Sequence, residues 1–207
     1  EARDRAWQHV PVLPAEVVAL LALPPGATWI DMTLGLGGHA AALLAATAPS
    51  GRLLALDRDA AAIRLAHARL AGDAARVRFV RGAFSAVASI AAREGFTQVD
   101  AVLLDLGVSS MQLDDAERGF SCTADGPLDM RMDTDCGLTA AVIVNTAPLS
   151  ELTRILREYG GEPLAAPIAR AIERRRARAV FSRTSDLARL VSGVYYARGW
   201  RRSRLHP

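Results

Sequence analysis

Short apolar runs alternate with alanine-rich segments over the first half of the chain. Four runs rich in Val, Leu, Ile and Phe are typical of strands and cover residues 28–33, 52–57, 76–81 and 99–105. Helical spacing of apolar positions separates them, near residues 38–48, 59–71 and 85–94. This β-α-β-α-β-α-β order predicts a parallel sheet with helices on both faces, because parallel neighbours need crossover connections.

The pattern changes after Gly107. Residues 108–137 are rich in Asp, Gly, Ser and Met without a clear period, which predicts a long ordered loop, and loops of that length are usually functional. Four helical segments and no strand are predicted beyond it, near 139–146, 149–159, 163–178 and 184–196. We therefore expect a nucleotide-binding core over 1–110, an active-site loop region over 111–137 and a helical domain over 138–207.

Composition narrows the class of protein. The chain has 207 residues, of which 51% are hydrophobic and 23% charged, so it can build a sizeable core. It has no apolar run long enough for a membrane helix and no signal core behind its charged start, which predicts a cytoplasmic protein without membrane contact. Two cysteines and four histidines without ligand spacing predict reduced thiols and no metal.

Charge is distributed unevenly along the chain. All basic residues are arginines, and residues 1–150 hold 12 of them against 17 Asp and Glu, a net charge of −5. Residues 151–207 hold 13 against 5, a net charge of +8. The basic third is either a nucleic-acid face or a solvated helix surface.

A glycine-rich turn follows the first predicted strand. The segment 31–40 reads Asp-Met-Thr-Leu-Gly-Leu-Gly-Gly-His-Ala and leads into a helix. Glycines allow a sharp turn and close approach of a ligand to the backbone, although a turn that binds no ligand can have the same glycine pattern. Asp57 ends the second strand 22 residues after Gly35, where a carboxylate can accept ribose hydroxyls.

Three carboxylates should line the crevice beside this turn. Asp31, Asp57 and Asp105 fall at the carboxyl ends of predicted strands one, two and four. A diphosphate would be repelled there, whereas S-adenosylmethionine (SAM) has no phosphate and carries a sulfonium and an ammonium cation. Charge therefore favours SAM over NAD.

Two further residues are ambiguous. Phe84 follows the third strand, where its ring could pack against an adenine or simply join the core. His39 could contact a cofactor or only cap and pack at the helix start.

Long motifs then point to a family. The fourth strand runs into Leu-Leu-Asp-Leu-Gly-Val-Ser-Ser-Met-Gln over 103–112, and Arg-Gly-Phe-Ser and Gly-Pro-Leu-Asp-Met-Arg-Met-Asp follow at 118–121 and 126–133. With His-Val-Pro-Val-Leu at 9–13 and the glycine turn, these stretches resemble the ribosomal RNA small-subunit methyltransferase H family, also called the MraW family. The resemblance covers nearly the whole chain.

The resemblance implies a Rossmann-like α/β class I SAM-dependent methyltransferase with an inserted all-helical domain. It implies methylation of the exocyclic N4 of a cytidine in the decoding centre of 16S ribosomal RNA, with the small ribosomal subunit as partner and no DNA. Cofactor contacts carry over by motif to Gly37, Gly38, His39, Asp57, Phe84, Asp105 and Gln112.

Chemistry suggests roles for the remaining groups. Asp105 is the leading catalytic candidate, as acceptor of the amine proton, and the competing hypothesis has it only position the cofactor while loop carbonyls receive the amine. Candidate RNA contacts are Arg170, Arg174, Arg175, Arg176, Arg178 and the segment 198–204, with Tyr195, Tyr196 and Trp200 interleaved. For Tyr195 we favour a packing role.

Two other functions remain open on the sequence. An NAD-dependent oxidoreductase would share the glycine turn and Asp57, and a non-catalytic RNA-binding protein would share the basic third. Four strands are also fewer than the six usual in a doubly wound fold. We expect an incomplete sheet with an apolar edge beside strand four, which could pair with another copy in a homodimer.

Overall fold

The computed structural model describes residues 11–135 and 137–199, and the chain divides into two compact units, 1–109 and 110–207. The elements of the first unit are α1 (Pro14–Leu21), β1 (Thr28–Asp31), α2 (Gly38–Ala46), β2 (Arg52–Asp57), α3 (Ala60–Arg69), β3 (Val77–Arg81), α4 (Val87–Arg93) and β4 (Ala101–Leu103). Short 3-10 turns precede β3 and α4, at Ala71–Arg76 and Phe84–Ala86.

The described strands form one parallel sheet in the order β3-β2-β1-β4. Alternate residues of each strand face opposite sides, as period-2 geometry requires. Trp29, Leu53 and Ala55 pack toward α1, α2 and α3, whereas Ile30 and Leu54 belong to a second cluster with α4. The predicted α/β class with a parallel sheet and helices on both faces is confirmed.

Two local differences from the predicted elements have physical causes. Helix α1 was not predicted; it has a proline in its first turn and packs Val17, Val18 and Leu21 on the sheet. Strand β4 ends at Leu103 rather than 105, because the chain leaves β1 there and the Asp105 amide donates to the Thr33 hydroxyl instead.

Strand β4 has β1 as its one partner among the described strands. The exposed apolar side chains here are Val102 of β4 and, after it in the chain, Leu104, Leu106 and Val108. This is the apolar edge that the strand count predicts.

The second unit is helical in its described part. Its elements are α5 (Ser110–Asp114), a 3-10 turn (Ala116–Arg118), α6 (Ala140–Thr146), α7 (Leu149–Arg154), a π-helical continuation (Ile155–Tyr159), α8 (Ala165–Arg176) and α9 (Thr184–Tyr196). Its core contains Leu128, Leu152, Ile168, Ile172 and Phe181. Among the described residues, no helix is long and apolar enough to span a membrane.

The segment predicted as a long loop is ordered against these helices. It contains the unpredicted α5 and the 3-10 turn, and then returns to the helical core. Leu128 is buried there, its amide donates to the Ser182 carbonyl, and its carbonyl accepts from the Ala141 amide. Backbone hydrogen bonds to the helical core therefore order this segment, although its sequence has no regular hydrophobic period.

Candidate active site

The strand order reverses between β1 and β4, since the chain proceeds outward from β1 to β3 and then returns to the other side of β1. In open α/β sheets ligands bind outside the carboxyl ends of the strands at such a switch point. The predicted candidates of the first unit lie around it: the glycine turn follows β1, Asp57 ends β2, Phe84 follows β3 and Asp105 follows β4.

Strand register explains why Asp31 is buried more deeply than Asp57 and Asp105. Asp31 pairs with Ala55 and with Leu103, so it lies two residues short of Asp57 and Asp105 along the strand direction. Two residues of strand correspond to about 6.6 Å. Asp31 is accordingly 1% exposed, while the side chain of Asp105 is 47% exposed at the rim.

Burial has a direct electrostatic consequence for Asp31. The pKa of its carboxyl is raised from 3.8 to about 7, chiefly by desolvation and in small part by the Asp57 and Asp105 carboxylates, while the Thr33 amide and His39 oppose the rise. The Thr33 amide donates to Oδ1 of Asp31 at 3.0 Å. The base of the crevice thus holds a carboxyl, and no arginine is among the groups that shift its pKa.

Asp57 is the acceptor that organises the glycine turn. Its Oδ2 accepts the Gly35 amide at 2.8 Å and its Oδ1 accepts the Asp59 amide at 2.9 Å. Burial raises the pKa of the Asp57 carboxyl, and these backbone donors partly offset the rise. Each oxygen keeps further acceptor capacity, which suits a pair of ribose hydroxyls.

Glycine is required at the positions of this turn for different structural reasons. Gly35 and Gly37 have φ of +52° and +75°, which other residues adopt only with strain. A Cβ on Gly37 would press on Ala66 and Leu70 of α3, and one on Gly38 would lie 3.0 Å from the Pro11 ring. The lack of a side chain at Gly37 and Gly38 therefore lets the turn pack closely against Ala66, Leu70 and Pro11, in addition to any contact with a ligand.

His39 links the entry segment to the rim. Its Nε2 lies 2.8 Å from the Val12 carbonyl oxygen, which can only accept, so Nε2 carries a proton and donates. Its Nδ1 lies 3.8 Å from Oδ2 of Asp105. The ring is buried and fixed between these two contacts.

Asp105 is anchored through its backbone. Its amide donates to Oγ1 of Thr33 at 2.7 Å, and the Thr33 amide in turn donates to Asp31. Thr33 therefore connects two of the three carboxylates. Sequence reasoning missed it; the available signal was its place two residues after Asp31, where an Asx turn forms.

The remaining candidates are placed as follows. Phe84 begins a 3-10 turn and is 42% exposed, so its ring is available to a ligand rather than enclosed in the core. Gln112 is buried in α5 and belongs to the second unit. Within residues 11–135 and 137–199, no cluster of three or more His, Cys, Asp and Glu has the geometry of a metal site.

The basic candidates of the second unit divide by their contacts. Arg176 donates to the Val144 and Ala147 carbonyls at 2.9 and 2.8 Å, and Arg175 donates to the Ala179 and Val180 carbonyls. Arg176 thereby links α8 to the end of α6, whereas Arg175 bonds to residues that follow its own helix, and an RNA contact by either arginine stays a prediction. Residues 200–204, including Trp200, lie outside the described residues.

Tyr195 packs against the helical core, and its hydroxyl donates to Oε1 of Glu162 at 2.7 Å. The packing role predicted for it is confirmed.

Comparisons with known proteins agree on one family. The model of the MraW methylase family matches residues 6–207. A ribosomal RNA small subunit methyltransferase H from Syntrophotalea carbinolica is 48% identical over 201 residues, covering 97% of this chain and 64% of the relative. The proteins of the same name from Symbiobacterium thermophilum and Thermobifida fusca are 46% and 52% identical, covering 98% and 96% of this chain and 63% and 61% of the relatives.

The chain thus spans somewhat less than two thirds of the length of these relatives. Among solved structures, a SAM-dependent O-methyltransferase from Thermotoga maritima overlaps 45% of this chain and 34% of its own, with a TM-score of 0.38 and 28% identity. Because the family model matches nearly the full chain and the relatives are close to half identical, this chain belongs to the MraW methylase family.

Proposed function

We propose that this chain carries the cofactor-binding part of a SAM-dependent methyltransferase that acts on the exocyclic N4 of a cytidine in the decoding centre of 16S ribosomal RNA. The observation that carries the proposal is the acidic crevice at the switch point, in a chain whose relatives are named ribosomal RNA small subunit methyltransferase H. We place the activity in the cytoplasm, with the small ribosomal subunit as partner.

The charge of the crevice fits this cofactor. Asp31, Asp57 and Asp105 converge at the ends of neighbouring strands, and burial raises the pKa of both Asp31 and Asp57. A pyrophosphate would add negative charge to groups that already repel one another. A sulfonium and an ammonium would lower their pKa values and recover part of the cost of burial, so the crevice favours a cation.

Each first-unit candidate then has a distinct task. Asp57 offers its spare acceptor capacity to the ribose hydroxyls, and the exposed Phe84 ring offers a stacking face to the adenine. Gly37, Gly38 and His39 shape the turn beside them. Asp31 supplies negative charge from below, Asp105 supplies it at the rim, and we assign Gln112 a cofactor contact on the family motif alone.

The chemistry requires alignment more than activation. When bound, SAM supplies a methyl group on a sulfonium, which is a strong electrophile. The cytosine amine is a weak nucleophile because its lone pair is delocalised into the ring. Holding the nitrogen in line with the methyl–sulfur bond can contribute roughly 7–11 kcal/mol of barrier reduction.

Asp105 is the group that we assign to the amine. Its half-exposed carboxylate lies at the rim, 3.8 Å from Nδ1 of His39, and the Asp105 backbone amide donates to the Thr33 hydroxyl. By accepting a hydrogen bond from the amine it localises the nitrogen lone pair, and after transfer it can hold the proton that the nitrogen releases. Carbonyl groups of residues 105–110 are the competing acceptors.

Radiolabelled methyl transfer to small ribosomal subunits that lack the modification tests the proposal. We expect label on one 16S cytidine, identified as N4-methylated by mass spectrometry. The Asp105→Ala variant should lose transfer; if transfer and SAM affinity both survive in it, the role of Asp105 is wrong. Transfer to DNA, or binding of NAD in place of SAM, would contradict the proposed function.

A further inference from the structure

An open groove of about 450 Å³ lies between α8 and α9 in the second unit. Helix α8 contributes Pro167, Arg170 and Arg174, which are spaced by three and four residues and so share one face. Helix α9 and the residues after it contribute Leu190, Gly193, Val194, Ala197 and Arg198. The groove therefore has an apolar floor and a rim of three guanidinium groups.

The rim arginines differ from most of their neighbours in having no carboxylate partner. Within the described residues, Arg154, Arg183 and Arg189 each form an ion pair with Asp or Glu at 2.6 to 2.9 Å. Neither Arg170 nor Arg174 has a carboxylate within 4.0 Å in that part of the chain, although Glu173 lies between them in sequence. Arg198 donates to the carbonyl of Val194 at 3.0 Å and likewise meets no carboxylate there.

Convergence of three uncompensated cations on one groove is electrostatically unfavourable without an anion. Like charges four residues apart on a helix face destabilise the helix. A phosphate is the anion whose geometry matches guanidinium groups, through paired N–H donors. The groove is thus complementary to a phosphate-bearing ligand.

The floor indicates what accompanies the phosphate. Leu190 and Val194 are partly buried against the helical core and present apolar surface to the groove. A Cβ built on Gly193 would meet nothing within 4 Å, so α9 has a gap at this point of the lining. An apolar floor beneath a cationic rim suits a nucleotide, whose base has an apolar face and whose backbone is anionic.

We infer that the α8–α9 groove binds a nucleotide of single-stranded RNA, with Arg170, Arg174 and Arg198 on phosphates and the base on the floor formed by Leu190 and Val194. The inference deepens the proposed function, because it rests on RNA being the substrate. The contact lies within the second unit and involves a defined set of side chains.

Fluorescence anisotropy with a labelled single-stranded oligoribonucleotide tests the charges, using the 207-residue chain. The triple variant Arg170→Ala, Arg174→Ala, Arg198→Ala should bind at least 10-fold more weakly at low salt. Its slope of log K against log salt should fall by about 2, because each lost phosphate contact contributes roughly 0.7 on single strands. A matched control removes three exposed arginines elsewhere, Arg64, Arg69 and Arg157, and should change binding less than 3-fold.

Gly193→Leu tests the groove itself without changing charge. The new side chain projects into the gap, and replacing a helix-interior glycine should not weaken the fold. We expect at least 10-fold weaker RNA binding by this variant. Unchanged RNA binding by Gly193→Leu, or equal losses in the triple variant and its control, would overturn the inference.

Calorimetric titration with SAM separates this inference from the proposed function. Both sets of groove substitutions lie in the second unit, whereas the carboxylates assigned to the SAM crevice lie in the first, so SAM affinity should stay within 2-fold of the unsubstituted chain. Failure of the unsubstituted chain to bind SAM while RNA binding shows the expected losses would refute the proposed function and leave the groove assignment standing.

Discussion

The buried carboxyl of Asp31 makes the cofactor crevice a source of instability that a single substitution should remove. Asp31→Asn preserves the shape of the side chain and keeps an oxygen that can accept the Thr33 amide. It eliminates the charge that burial disfavours. The variant should therefore be more stable than the unsubstituted chain wherever the carboxyl is ionised.

The sign and size follow from the pKa. The carboxyl has a pKa of about 7 in the folded chain and an ordinary value of 3.8 when exposed in the unfolded chain, so the folded state holds the proton more tightly between these values. Stability should then fall as pH rises from about 4 to 7 and stay level above it. At 1.36 kcal/mol per pKa unit, the full difference is about 4 kcal/mol, an upper bound for the gain in Asp31→Asn at pH 8.

Urea unfolding at pH 4.5, 6 and 8 measures this difference. We expect the midpoint for Asp31→Asn to be higher by 1 M or more at pH 8, given about 1–3 kcal/mol per M, and the difference at pH 4.5 to be about a quarter of that at pH 8. Asp100→Asn is the matched control, because Asp100 also accepts a backbone amide of β1 but is exposed. A constant difference between Asp31→Asn and the unsubstituted chain across pH would refute the reasoning.

Three further predictions concern separate contacts. Thr33→Val removes the acceptor of the Asp105 amide, so methyl transfer should fall at least 10-fold while SAM affinity, measured by calorimetry, changes less than 3-fold. An equal loss of transfer and of SAM affinity would contradict a positioning role for Thr33. Phe84→Ala should weaken SAM about 5- to 20-fold by calorimetry, because one exposed stacking face is lost, and unchanged affinity would place the ring outside the site. Sedimentation should show self-association that Val102→Arg abolishes, since the apolar β4 edge would then carry a charge; a monomer at all concentrations would exclude pairing through this edge.

The regular parts of the fold were readable from the sequence because they repeat. Short apolar runs gave β2 and β3 almost to the residue, and the carboxylates at the strand ends were found because parallel strands bring their carboxyl ends to one edge. The position of Asp57 at the end of β2 follows from the same rule. Such features depend on local pattern alone.

Features that depend on packing were not readable. The deep burial of Asp31 follows from strand register, which pairs it with Leu103 two residues before Asp105. Four arginines of α8 look alike in sequence. In the structure Arg175 and Arg176 donate to backbone carbonyls. Arg170 and Arg174 have no carboxylate partner among the described residues, and the sequence does not show this difference. The bond from the Asp105 amide to Thr33 became visible only when the ends of β1 and β4 were seen together.

Calorimetric titration of SAM in buffers of different ionisation enthalpy tests the central claim most directly. A cation bound beside Asp31 should lower its pKa from about 7, so at pH 7 SAM should bind to one site per chain with release of about half a proton, and its affinity should rise with pH through this range. Asp31→Asn should bind without releasing this proton, and NAD should not bind. Absence of SAM binding, or binding of NAD with similar affinity, would contradict the assignment of the acidic crevice to a cationic cofactor.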